Sequence, residues 1–193
     1  DLKFFEKNFK GVMPLEIVVD TKRKYGVSRN LNNLNKIDSL SEFIASIPEI
    51  AKPLSIIEGL KFAKQAFFEG DSAHYSMPSV YDLPALQQYL NFHGDSSESK
   101  NSLTKLVTSF MDSSKQQARI SVSMADIGSR RLPFILDTIT KRANQLFGTD
   151  TSKYQVTLTG ASVTFLTGSS YIINGLKGSI FWAVLLIALF MLY

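Results

Sequence analysis

The chain has 193 residues, with 21 Lys and Arg against 17 Asp and Glu and a formal net charge of +4. The basic residues are scattered (Lys22, Arg23 and Lys24, then Arg130 and Arg131, then Lys141 and Arg142), so they read as solvated surface, and no nucleic-acid partner is expected without a basic stripe interleaved with aromatics. Cysteine is absent, which excludes a disulfide framework and any thiolate acting as nucleophile or metal ligand.

In chain order, Leu2, Phe5 and Phe9 recur at helical spacing and Gly11 closes that helix. Met13, Leu15, Ile17 and Val19 then alternate with Pro14, Glu16, Val18 and Asp20, the period of a half-buried strand. Residues 22–30 are a polar loop. Leu34, Ile37, Ser41, Ile44 and Ile47 predict a helix that Pro48 stops. Ile50 to Ile57 is compatible with a strand, with Pro53 placing it at an edge or making it irregular. Glu58 to Glu69 is helical, with Gly70 at its end, and residues 70–80 form a loop.

Leu83 to Phe92 predicts a second short helix, with Pro84 in its first turn and Gly94 beyond it, followed by a polar connector over 94–102. Leu103 to Met111 and Gln117 to Ala125 are expected to pair as a hairpin through the turn at 112–115. Ala118, Ile120, Val122 and Met124 form the apolar face of the second strand, expected to meet the next helix. That helix carries Leu132, Ile135, Leu136, Ile139, Ala143 and Leu146. Ser129 is expected to cap it, Pro133 falls in its first turn and Gly148 follows its end. Tyr154 to Thr159 is a final strand, and Gly160 opens a connecting helix with Val163, Leu166, Ile173 and Leu176 on one side.

The connecting helix runs into Ile180 to Tyr193, an apolar run without a charge or a helix breaker. Spanning a bilayer takes about 20 such residues. The run is therefore expected to be the truncated start of a transmembrane helix projecting from the globular body. No Met stands at position 1, so Asp1 is expected to be an internal residue of a longer protein. The resulting expectation is an α+β fold, with helices covering one face of a mixed sheet in a ferredoxin-like arrangement. Residues 1–160 form that domain, with a helical insertion at about 57–94; residues 161–179 connect, and 180–193 enter the membrane.

The segment FFEKNFKGVMPLEIVVDT, Phe4 to Thr21, resembles the opening of extracytoplasmic porter domains in the MMPL branch of the resistance–nodulation–division superfamily. SIPEIAKPLSIIEGLK (46–61), QQARISVSMAD (116–126), VTLTGAS (156–162) and the helix entry GLKGSIFWAVLL are similar to that family's layout. The likeness is greater to the second of the family's two large periplasmic loops. It implies a proton-driven exporter of lipids or other hydrophobic molecules in the inner (cytoplasmic) membrane, with this domain on the periplasmic side. Its partners would be the membrane, the substrate, the rest of the same chain's transmembrane part and, in some assemblies, further copies. The acidic proton-coupling residues would lie in membrane helices outside this chain.

Chemistry of other kinds is missing from the pattern. His74 and His93 lack the clustered ligands that a metal site needs. No phosphate-binding glycine loop or nucleophile elbow occurs, and no cofactor or enzymatic activity is expected. Glu16 and Asp20 are expected on the solvent side of their strand. The candidates for substrate contact are Phe67, Phe68, Tyr75, Met77, Tyr89 and Phe92, flexible and aromatic side chains beside small and polar ones. Core packing accounts more readily for Phe62 and Phe67, whereas Tyr75 and Met77 suit a cleft border. A membrane-tethered binding or scaffold module without transport is the alternative reading.

Overall fold

The computed structural model describes residues 11–82 and 109–192. The alternating segment at Met13 becomes β1 (Met13–Asp20), flanked by β2 (Gln117–Met124) and β3 (Gln155–Thr159) in an antiparallel sheet of order β2-β1-β3. Ile17 stands between Ile120 of β2 and Leu158 of β3, which fixes the register with the apolar faces aligned. β2 pairs along its whole length with β1. Of the expected hairpin, the described residues keep the antiparallel pairing at Met111, which bridges Ala118, whereas Ser109 and Phe110 are helical instead of extended. Residues 103–108 lie outside the described residues, as do the expected helices at 1–10 and 83–92 and the connector at 94–102.

The segment Glu49 to Leu54 lies along the outer edge of β2. Ala51 N donates to the Ser123 carbonyl over 2.8 Å, Leu54 and Ser121 exchange bonds of 2.8 Å, and Ala125 N donates to Glu49 over 2.9 Å. Pro53, which has no N–H to give, falls between the bridges at Ile50 and Leu54 and keeps the edge irregular. The edge segment runs parallel to β1 and β3 runs parallel to β2, each with one strand between, and crossover helices make the two connections.

The first crossover is α1 (Leu31–Ala45), capped by the Asn30 side chain, which accepts from Asn32 N over 3.0 Å. α2 (Ile56–Phe67) starts earlier than expected because Ser55 caps it, its hydroxyl accepting from Ile57 N over 3.2 Å. The second crossover is α3 (Gly128–Phe147). Ser129 does not cap it. Ile127 occupies the cap position, and the Asp126 carboxylate accepts from Gly128 N over 3.1 Å instead. Pro133 consequently sits further inside the helix, on its exposed side.

The helices cover one face of the sheet. Leu15, Ile17, Ile37, Leu40, Ile120 and Ile139 are wholly buried, each contributing about 1.5–3 kcal/mol from burial. The apolar face of β2 enters this core together with Leu132, Ile135 and Ile139 of α3; the backbone of α2 comes close to β2, and that of α3 comes close to β3 and α1.

The last element, α4 (Ala161–Leu192), is one continuous helix. Gly160, at φ +104°, turns the chain so closely past β1 that a Cβ there would lie 3.1 Å from the Pro14 carbonyl oxygen. Ser162, Val163 and Leu166 root the helix against the body. From Ser170 to Leu192 every residue is exposed, over a length of about 35 Å.

Candidate functional site

The aromatic-rich region singled out in the sequence is built from the edge segment, α2 and the loop that follows. Glu58 in the first turn of α2 is its centre. Its Oε2 accepts from the Tyr75 hydroxyl over 2.5 Å and lies 2.5 Å from Lys52 Nζ. Lys52 also reaches the Tyr75 hydroxyl at 3.4 Å and rides 5.1 Å from its ring centroid. Burial pushes the Glu58 pKa up, but the bonds from Lys52 and Tyr75 outweigh it and hold the carboxyl below its ordinary value. The hydrogen bond to Glu58 raises the Lys52 pKa, and burial with the neighbouring carboxylate raises that of Tyr75. At neutral pH, Glu58 stays ionised and Lys52 stays charged, so the two stand as an ion pair.

Beside this triad, Lys61 joins α2 to α1 through Asp38 at 2.6 Å. The two groups border a cavity of about 210 Å³, into which buried Ser41 also faces. Tyr75 lines this cleft. Met77 is half-buried against the core cluster. Lys64 pins the loop by bonding Ser76 and Asp82, each at 3.1 Å.

Phe67 and Phe68 lie at the far end of α2. Phe67 meets Phe68 edge-on with centroids 5.2 Å apart, and Phe68 stacks on His74 at 4.0 Å. Asp71 holds His74 Nδ1 at 3.2 Å, which gives the imidazole a local structural partner. The assignment of Phe62 and Phe67 to the core is corrected: they are 55% and 39% exposed. The buried stripe of α2 is Ile56, Ile57, Leu60 and Ala63, and Phe62 stands about 200° round the helix from Leu60. Tyr89, Phe92 and His93 lie outside the described residues.

Asp20 is also corrected, being buried instead of facing solvent. Its carboxylate accepts from Lys22 N at 2.7 Å and from the Gln116 and Gln117 side chains at 2.9 and 3.2 Å. Glu16 is half-buried, accepting from Ser121 Oγ over 2.9 Å and facing Arg119 at 3.5 Å. Both acids do structural tasks on the sheet and at its end.

Sequence reasoning missed the Lys52–Glu58–Tyr75 triad. Its members sit on three different local structures, so no spacing along the chain announces it. Among the described residues, no group of three His, Asp or Glu is placed to hold a metal ion. No family model matches the chain, and no curated protein matches it.

Proposed function

We propose that this chain is the periplasmic, porter-type domain of a proton-driven exporter of lipids or other hydrophobic molecules, of the MMPL branch of the resistance–nodulation–division superfamily. The reading is supported chiefly by where the chain enters and leaves the sheet. β1 begins beside the root of α4, where the Ser162 hydroxyl donates to the Pro14 carbonyl over 2.7 Å. A domain inserted between membrane helices needs both ends on its membrane side. The exposed stretch of α4, about 35 Å long, exceeds the roughly 30 Å hydrocarbon core of a bilayer. Its lone charge, Lys177, has a stem long enough to bring the ammonium to a headgroup layer.

The pairing order, edge segment–β2–β1–β3 with α1 and α3 as crossovers, supports the ferredoxin-like assignment. The domain itself is read as non-catalytic, since Glu58 and Lys52 are locked as a pair. Exposed Phe62 and Phe67 are the apolar groups offered to a hydrophobic substrate or to the rest of the exporter.

The test is transport. The full-length protein in proteoliposomes, given a proton gradient, should move a fluorescent lipid across the bilayer and stop when a protonophore is added. A membrane-tethered scaffold would move no lipid with or without the gradient.

A further inference from the structure

At the end of the sheet remote from α4, the loop after β1 folds against the N-terminus of α1 and the approach to β3. They enclose a cavity of about 320 Å³. Arg23, Lys24, Arg29 and Lys153 line it, and no Asp or Glu does. Lys153 has a carboxylate partner outside the cavity, Asp150 at 3.2 Å. Arg23, Lys24 and Arg29 have none among the described residues; Lys24 and Arg29 instead rest on the Tyr25 ring, 5.4 and 4.5 Å from its centroid.

The cavity is built on ordered backbone. Thr21 and Asn33 in its wall are 2% and 3% exposed. Thr21 Oγ1 donates to the Gln116 carbonyl over 2.8 Å. Asn33 donates to the Gly26 carbonyl over 2.8 Å and accepts from the Tyr154 hydroxyl over 2.9 Å. Tyr25 N and Val27 N donate to the 114 and 115 carbonyls over 2.9 and 3.1 Å. Lys22 and Tyr25 are held at φ +53° and +62°, a left-handed conformation that is unfavourable for a side-chain-bearing residue. A Cβ on Gly26 would lie 2.2 Å from Thr21 Oγ1. A merely solvated run of lysines and arginines needs none of this support.

We infer that the cavity is a binding site for a phosphate group. Its cations approach from the loop after β1, the end of that loop and the segment before β3, which suits a tetrahedral dianion with acceptor oxygens on every side. Guanidinium–phosphate pairs are also charge-assisted and bidentate. The site stands apart from the proposed transport role and does not depend on it. β1 separates it from the root of α4 by about 26 Å, so the phosphate belongs to a dissolved solute or to a lipid lifted out of the bilayer.

The test uses the full chain in neutral detergent micelles, titrated with inorganic phosphate and followed by the amide resonances of Gly26 and Arg29. Saturable shifts are expected, absent with chloride at equal ionic strength. Arg23→Gln with Arg29→Gln should weaken binding about tenfold or more, with resonances of the sheet unmoved. Lys141→Gln, a change to a paired surface charge on α3, should leave the affinity as it was. No saturation, or equal affinity in the double variant, would overturn the site. Glycerol 3-phosphate and short-chain phosphatidic acid below its micelle concentration then separate the sources. Equal affinity for both supports a soluble phosphate, and at least tenfold tighter binding of the diacyl form supports an extracted lipid headgroup.

Discussion

The buried hydroxyl of Ser162 donates to the carbonyl of Pro14 over 2.7 Å, tying the first turn of α4 to the start of the central strand. The bond is possible because Gly160 turns at φ +104° with only backbone atoms for neighbours. The projecting helix is thus fastened to the core strand of the domain, without a slack linker.

Changes around the start of β1 should cost stability in a graded way. Ser162→Ala removes a bond of about 1 kcal/mol. Gly11→Ala should cost more, because Gly11 sits at φ +126° and a Cβ there would stand 2.0 Å from the Met124 carbonyl oxygen. Urea denaturation of the full chain should rank the variants wild type, Ser162→Ala, Gly11→Ala in falling stability.

The sheet face can be tested at Ile120, which is wholly buried opposite Ile17. Ile120→Ala should cost about 2–5 kcal/mol through lost burial and a residual cavity. Ile120→Asp should cost more, since its charge would be buried without a partner. A thermal melt unchanged by either substitution would contradict the packing.

Most of the fold was legible where burial repeats with a fixed period. Met13 to Val19 marked β1, Leu34 to Ile44 marked α1, and Leu132 to Ala143 marked α3, because each buries every second residue or every third and fourth. Partner choice was not legible. The alternation of Ala118 to Met124 states which side faces inward, but a hairpin neighbour and the distant β1 satisfy it equally. Ser129 looked like a cap because the type is right, whereas the helix begins one residue before it. In the candidate site, Phe62 and Phe67 looked like core by composition, and only the phase of α2 about its axis put them outside. Asp20 looked solvated because its partners Gln116 and Gln117 are distant in sequence.

The Glu58 triad predicts a pH dependence. The Glu58 carboxyl is held below its ordinary value of 4.5, so its contribution is complete above that value and is lost as pH falls through the folded-state pKa. Lys52 is held above its ordinary 10.5, so its share is present below that value and is lost as pH rises through its folded-state pKa. Stability should therefore plateau between these limits. Glu58→Gln should lower the plateau and flatten the acid limb, read as melting temperature against pH.

The aromatic end of α2 separates folding from function. Phe62→Ser and Phe67→Ser change exposed positions and should alter stability by only about 0.5 kcal/mol. They should nevertheless reduce lipid export by the full-length protein. Tyr75→Phe strips the hydroxyl from a hydrogen bond to a carboxylate and should cost about 1.5–3 kcal/mol in stability. Equal export by wild type and both serine variants would remove this surface from the transport path.

The central claim is that α4 enters a membrane while the sheet domain stays outside it. The chain itself has no cysteine, so single substitutions can be read directly in a full-length protein whose cysteines elsewhere have been replaced by serine. Ser152→Cys places a thiol in the exposed turn before β3, and Ala188→Cys places one in the apolar part of α4. With a membrane-impermeant maleimide added to intact cells whose outer barrier has been opened, Cys at 152 should label rapidly. Cys at 188 should stay unlabelled until detergent is added. Labelling of both positions at the same rate without detergent would contradict the account.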